Sequence, residues 1–180
     1  MSNSFDPQSI NSWLFLAAGE DRSFAGNDGY DDMPNGHYKW DSTVPNHARV
    51  KVGDYIVLWD KNGSIGASSI DEINIRKSEK TLHRCRHCGK ASIKKRITKT
   101  PLYRCQICKR TFEEPESKLV DVTEYTTTHS RKWTPLLGVI EASTLRTSCL
   151  RSKSQHSLRP LDWSKFSLVL QQKGLFLDLR

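Results

Sequence analysis

The chain of 180 residues has no apolar run approaching the roughly 20 residues that a membrane-spanning helix needs. Its first residues, Met1 to Asp6, have neither the basic start nor the apolar stretch of a secretory signal. These absences predict a soluble, intracellular protein without a membrane partner. They also argue against a disulfide framework, which needs an oxidising compartment. The length suits one well-packed domain with a small insertion.

Acidic residues are almost missing from the middle of the chain. From Arg76 to Arg110 there are 13 lysines and arginines against the single acidic residue Glu79, a net charge of +12. The whole chain carries +8, so the remaining residues are net acidic. This concentration favours a polyanionic partner, because each phosphate that is neutralised releases counterions. A solvated basic face that serves solubility is the alternative.

Two Cys-x-x-Cys motifs lie inside the basic segment. Cys85 and Cys88 form the first, and Cys105 and Cys108 form the second, with sixteen residues between the two motifs. Four thiolates at this spacing are typical of a structural Zn²⁺ site, since four protein sulfurs leave no open position for water. Disulfides or a thiol redox pair are the alternatives, and His83 or His87 could replace one sulfur. The fifth cysteine, Cys149, is interpreted as an ordinary thiol.

Hydrophobic patterns predict an α+β protein. Strands are expected at residues 12–18, 55–59, 65–70 and 118–125, with the second and third pairing antiparallel across a hairpin turn. A helix is expected between Asp162, as N-cap, and Gly174. Residues 19–40 are rich in Gly, Asp, Asn and Pro, which predicts an ordered, functional loop. Trp13 and Trp163 are interpreted as core residues.

Several motifs resemble the PUA superfamily, in particular its EVE and ASCH members, which are related in fold to the SRA and YTH readers of modified bases. The general pattern is Trp13 in an opening strand, then residues 38–41, 50–59 and 63–67. The more specific motifs are residues 26–32, 40–47 and 154–161, which are similar to the N-terminal region of bacterial EVE-like proteins that carry an HNH nuclease domain downstream. The resemblance spans roughly residues 12 to 172.

The resemblance implies a PUA-like β-barrel with flanking helices and an inserted four-cysteine zinc ribbon. Its expected boundaries are residues 1–78 and 117–174 for the discontinuous base-reader domain, 79–116 for the ribbon and 175–180 for a tail or linker. It also implies a bacterial or archaeal cytoplasmic protein that binds double-stranded DNA carrying a modified base, namely methylated or hydroxymethylated cytosine or methylated adenine. The protein would act as a monomer or a homodimer and target a modification-dependent restriction endonuclease.

In such a reader the base leaves the duplex and enters a pocket, where aromatic stacking and hydrogen bonds offset the cost of extrusion. The residues predicted to form the pocket are Trp40, Trp59, Asp41, Ser42, Asn46 and Tyr30. Phosphate contacts are expected from the ribbon and from basic residues outside it; these are Lys94, Lys95, Arg96, Lys99, Arg131, Lys132, Arg151, Lys153 and Arg159.

No catalytic residue is predicted within the chain. The six histidines are scattered, and nothing after Cys108 has the paired histidines of an HNH nuclease site. These residues are therefore predicted to bind rather than to cleave, and any nuclease activity would belong to a domain of a longer parent protein. Two alternatives remain open: a PUA-like RNA-binding protein with a zinc ribbon, and a hydrolase with an unrecognised site.

Overall fold

The computed structural model describes residues 10–17 and 32–180, and the predicted pocket residue Tyr30 lies outside them. The described residues form a strand-rich α+β structure in three layers: a three-stranded sheet, a five-stranded sheet and two short helices. A third, very small sheet forms the segment that contains the four clustered cysteines.

The five-stranded sheet forms the middle layer. In spatial order its strands are β10 (Thr134–Pro135), β4 (Gly63–Ser69), β3 (Tyr55–Asp60), β1 (Ser12–Leu16) and β11 (Leu158–Pro160). β1 and β3 are parallel, whereas the other neighbours are antiparallel. The predicted antiparallel pairing across the hairpin is confirmed, with Gly63 at a positive φ of 133° in the turn.

The outer sheet has the order β2 (His37–Asp41), β9 (Glu116–Thr128) and β5 (Glu72–Arg84). The small sheet contains β6 (Ile93–Lys95), β7 (Tyr103–Cys105) and β8 (Thr111–Phe112). The helices are α1 (Ala142–Thr147) and α2 (Trp163–Gln172). Asp162 caps α2 as predicted, since its side chain accepts a hydrogen bond from the backbone N–H of Lys165, and Gly174 follows the helix with φ +72°.

Alternation along β1 sends its side chains to opposite faces of the middle sheet. Trp13 and Phe15 pack against Tyr38 of the outer sheet, whereas Leu14 lies with Phe166 of α2 on the helical side. Both faces are therefore buried, which explains why this strand is a continuous apolar run. Within the described ranges the strands form open sheets rather than the closed barrel that was expected.

The longest feature of the fold is the pairing of β5 with β9, which is continuous over 13 residues of each strand. β2 pairs only with residues 124–128 of β9, so residues 116–123 of β9 pair only with residues 77–84 of β5. We call this two-stranded extension the arm. The cysteine-containing segment, residues 85–115, connects the two strands of the arm. Residues 79–84, which the sequence placed in the ribbon, are part of the arm by this definition. Neither helix of the described part is long and apolar enough to cross a lipid bilayer.

His129 joins the outer sheet to the segment before β2 and is fully buried. Its Nε2 lies 2.7 Å from the carbonyl oxygen of Pro34, and its Nδ1 lies 3.0 Å from the hydroxyl of Thr127. Since a carbonyl can only accept, Nε2 carries the proton and Nδ1 accepts from Thr127. Burial lowers the pKa of His129 below its ordinary value.

The folded protein should therefore lose stability in mild acid. The unfolded chain takes up a proton at His129 near its ordinary pKa of about 6.5, before the folded protein does, so protonation favours unfolding as the pH falls below that value. Urea unfolding at several pH values between about 7.5 and 5 should show a shallower pH dependence for His129→Gln. His156→Gln removes an exposed histidine and is the matched control; equal slopes for both variants and the wild type would contradict the assignment.

Candidate metal centre and nucleic-acid interface

Cys85, Cys88, Cys105 and Cys108 come together at the far end of the arm. Their sulfur atoms all lie within 4.8 Å of one another. Two of the sulfur–sulfur distances are 3.7 Å, between Cys85 and Cys108, and 3.6 Å, between Cys88 and Cys105. Four sulfurs at about 2.3 Å from a tetrahedral ion would be just under 4 Å apart, so the donor set and spacing fit a metal ion, as the sequence predicted.

Each pair of cysteines is held by the same type of backbone turn. The N–H of Cys85 donates to the carbonyl of Lys90, and the N–H of Cys105 donates to the carbonyl of Arg110. Each turn contains a residue of positive φ directly after its second cysteine, Gly89 at 68° and Lys109 at 63°. The backbone thus turns tightly enough to aim both sulfurs of a pair at one point.

Backbone N–H groups also stabilise thiolate at this cluster. The N–H groups of Cys108 and Ile107 point at the sulfur of Cys105, at 3.5 and 3.4 Å. Burial raises the pKa of this thiol, but these donors and the neighbouring thiols outweigh burial and lower it, whereas the pKa of the adjacent Cys88 thiol is raised. The first proton is therefore lost from Cys105, and the thiolate is the form that binds a metal.

The cluster is nearly all the core that this segment has. Its buried residues are the two cysteines Cys85 and Cys105 together with Ile93 and Phe112. So few side chains bury too little apolar surface to hold a fold of this length, and a metal would supply the missing stabilisation. We call residues 85–112 the ribbon.

The ribbon is uniformly basic. It contains nine lysines and arginines and no aspartate or glutamate. Within the described residues no carboxylate lies within 4 Å of any of these nine side chains. The ion pairs found there are formed by Arg76, Lys80 and Lys165, which lie outside the ribbon. A Zn²⁺ ion with four thiolates would add about −2, which leaves the ribbon strongly positive.

A groove of about 440 Å³ runs along one side of the ribbon, and five basic residues line it: Lys94, Lys95, Arg96, Lys99 and Arg104. Lys94 of β6 lies directly opposite Arg104 of β7. Like charges in cross-strand register repel each other, so an anion bound between them would relieve that repulsion. Four of these five were predicted as phosphate contacts. Arg104 was not, because its position beside Lys94 arises from the pairing of β6 with β7.

The predicted base pocket is not formed by its two tryptophans. Trp40 lies in β2 rather than in a loop, is 0 % exposed, and stacks on Tyr125 at 5.2 Å with an interplanar angle of 5°. Its indole N–H donates to the carbonyl of His47. Trp59 of β3 is 1 % exposed. Both rings belong to the cores on the two faces of the middle sheet, so neither is placed to stack on an extruded base.

The three polar pocket candidates are used for internal structure. Asp41 is fully buried, accepts from Thr43 and forms an ion pair of 2.7 Å with Lys80 of the arm. The hydroxyl of Ser42 accepts from the N–H of Thr123. Asn46 donates to the carbonyl of Leu158 and accepts from Arg49. These three side chains brace the loop after β2 instead of facing an open cavity.

The basic residues predicted outside the ribbon fall into two groups. Arg131, Arg151 and Lys153 are exposed and Lys132 is half-buried, so all four remain candidates for phosphate contacts. Arg159 is different: it is only 3 % exposed, and its guanidinium lies over the buried ring of Trp59. Its predicted phosphate contact would therefore not lie on the exposed surface, because pairing of β11 with β1 places Arg159 beside Leu14 on the helical face of the sheet.

No family model, curated protein or solved structure matches this chain.

Trp40→Ala should destabilise the protein rather than alter a binding pocket. Removing a fully buried tryptophan leaves a cavity and should cost about 3–5 kcal/mol in the free energy of unfolding, as measured by urea titration. Ile97→Ala, at a side chain that is 98 % exposed, should change it little. An unchanged stability in Trp40→Ala, combined with loss of preference for modified DNA, would restore the pocket interpretation.

Removal of the metal, or Cys105→Ser, should unfold the ribbon and leave the rest of the protein folded, because the ribbon core shares no buried residue with the two cores of the main body. Metal analysis of the purified protein should find zinc in the wild type and a loss in Cys105→Ser. Cys149→Ser is the matched control, since Cys149 is buried in the main body. Equal zinc content in all three proteins would rule out this site.

Proposed function

We propose that this protein binds nucleic acid, most simply double-stranded DNA carrying a modified base, and that the zinc-bound ribbon at the end of the arm holds the phosphate backbone. The observation that carries the proposal is a groove lined by five basic residues on a segment that has no acidic residue. In the same proposal the chain binds DNA without cleaving it, and it serves as the targeting module of a restriction endonuclease.

The charge distribution supports a polyanion as the partner. In a solvated basic face one expects acidic residues to alternate with basic ones, as they do where Arg76 pairs with Glu124 at the base of the arm. The ribbon lacks this balance, and Lys94 and Arg104 are held opposite each other. A phosphate backbone supplies a row of anions that neutralises such a surface and releases counterions.

The length of the arm favours an extended binding partner. Its eight paired residues on each strand span about 26 Å at the usual rise of a strand, so the ribbon lies well away from the main body. A small anion would need only one of these surfaces. A duplex is long enough to contact the ribbon and also the exposed basic residues of the body, Arg131, Arg151 and Lys153.

Recognition of a modified base is the part of the proposal that the resemblance to EVE-like proteins supports. It requires a pocket other than the predicted one, since Trp40, Trp59 and Asp41 are buried and Ser42 and Asn46 are engaged in the structure. Phosphate contacts at the ribbon and base selection by the body are separable functions, because backbone contacts carry no base information directly.

The double variant Lys94→Gln with Arg104→Gln tests the ribbon as the phosphate-binding surface. Its affinity for a DNA duplex should fall about tenfold or more, and the slope of log affinity against log salt should become shallower by about two, one for each lost phosphate contact. Fluorescence anisotropy at several salt concentrations measures both quantities. Lys173→Gln, at an exposed residue next to α2, is the matched control. An unchanged salt slope in the double variant would contradict the proposal.

Matched duplexes with and without methylated or hydroxymethylated cytosine, or methylated adenine, test the base preference in the same assay. A preference for one modified duplex, retained in the ribbon double variant, is expected. Equal affinity for all duplexes at physiological salt would remove base recognition from the proposal, and tighter binding of RNA of the same length would favour the RNA-binding alternative. Cleavage of any duplex by this chain alone would contradict the binding-only assignment.

A further inference from the structure

The helical face of the middle sheet contains two buried polar atoms without a hydrogen-bond partner, Nε1 of Trp59 and Nη1 of Arg159. Trp59 is 1 % exposed and Arg159 is 3 % exposed. Nearly all buried polar groups in folded proteins have a partner. The two side chains are in contact with each other, and each has an N–H donor that no described protein group accepts.

Two guanidinium groups lie against the same indole ring. The Cζ atom of Arg159 is 4.9 Å from the centroid of Trp59, and the Cζ atom of Arg146 is 5.3 Å from it. Each cation is attracted to the ring face, but the two repel each other. Arg159 comes from β11 and Arg146 from α1, so the packing of helix on sheet holds the two charges together.

No carboxylate neutralises this pair. Among the described residues none lies within 4 Å of either guanidinium. Burial lowers the pKa of Arg159, and the neighbours that act on it are the Cys149 thiol and Arg146. Its Nε donates to the carbonyl of His156 at 2.7 Å, which satisfies one N–H but does not balance the charge. A buried, unpaired cation is costly, and a guanidinium does not lose its proton in proteins.

We infer that Arg159, Arg146 and the Trp59 indole form a binding site for a phosphate-class oxyanion. Two positive charges suit a dianion, and guanidinium N–H groups form short, charge-assisted hydrogen bonds with phosphate oxygens. The exposed side chain of Arg146 connects the buried Arg159 to the surface. The phosphate is supplied either by a free nucleotide or by a nucleic-acid strand, and the site is separate from the ribbon groove.

The indole N–H of Trp59 provides a direct test in the full-length protein. In ¹H–¹⁵N spectra its resonance, assigned with Trp59→Phe, should move saturably when inorganic phosphate is added at constant ionic strength. The indole resonances of Trp13 and Trp40 should stay in place, because Asp54 and the carbonyl of His47 already accept from them. A shift that is equal for all three, or that sodium chloride reproduces, would overturn the inference.

Arg159→Gln should abolish the phosphate-dependent shift. Arg146→Gln removes an exposed side chain, keeps the buried packing, and should weaken phosphate binding by about tenfold, so the inference remains testable where Arg159→Gln does not fold. Lys173→Gln is the matched control and should bind phosphate as the wild type does. Unchanged phosphate binding in Arg146→Gln would contradict the site.

Two further titrations identify the source of the phosphate. A shift of the Trp59 resonance by a nucleoside 5′-monophosphate but not by duplex DNA assigns the site to a small molecule, and a shift by the duplex assigns it to the nucleic-acid backbone. Either result supports the inference, whereas no shift with phosphate, nucleotide or duplex overturns it. The outcome is independent of the ribbon, since Lys94→Gln with Arg104→Gln leaves this site intact.

Discussion

The continuous pairing of β5 with β9 is the constraint on which the arrangement of this protein depends. Near its base the ladder forms part of the outer sheet and packs on the middle sheet through Ile73 and Tyr125. Further out the same two strands leave the body and connect to the ribbon. Because the hydrogen-bond ladder is unbroken, the orientation of the basic ribbon is tied to that of the packed body. The ion pair between Lys80 of the arm and buried Asp41 strengthens that link.

Positive charge occurs in two different environments, on the exposed ribbon and at the buried Arg159. Eight of the nine lysines and arginines of the ribbon are exposed to solvent, where water screens their mutual repulsion, and a metal bound by the four sulfurs would stabilise the ribbon. The main body instead buries Arg159 against an aromatic ring, where screening is weak. An anion at the ribbon would therefore bind with a strong dependence on salt, whereas an anion at Arg159 would be recognised mainly by charge and hydrogen-bond geometry.

Most of the local structure could be predicted from the sequence. The apolar run at β1, the hairpin of β3 and β4, the strand β9 and the capped helix α2 are all present. The four clustered cysteines were predicted as well, since the Cys-x-x-Cys spacing and the residues that turn the backbone are close together in the chain. The two tryptophans predicted to line a base pocket are instead buried in the cores. Trp40 was assigned to a loop because residues 19–40 are rich in Gly, Asp, Asn and Pro, but pairing of β2 with β9 turns its ring into the core.

The sequence by itself determined the features that arise from neighbouring residues: the metal-binding spacing, the block of positive charge, the strand and helix periodicities and the helix cap. Only the tertiary structure decided that Trp40, Trp59 and Arg159 are buried. Trp40 meets Tyr125, and Arg159 meets Trp59, across long separations in the chain. Such contacts depend on how sheets and helices pack on each other, and a one-residue change in strand register would turn the same side chains to the opposite face.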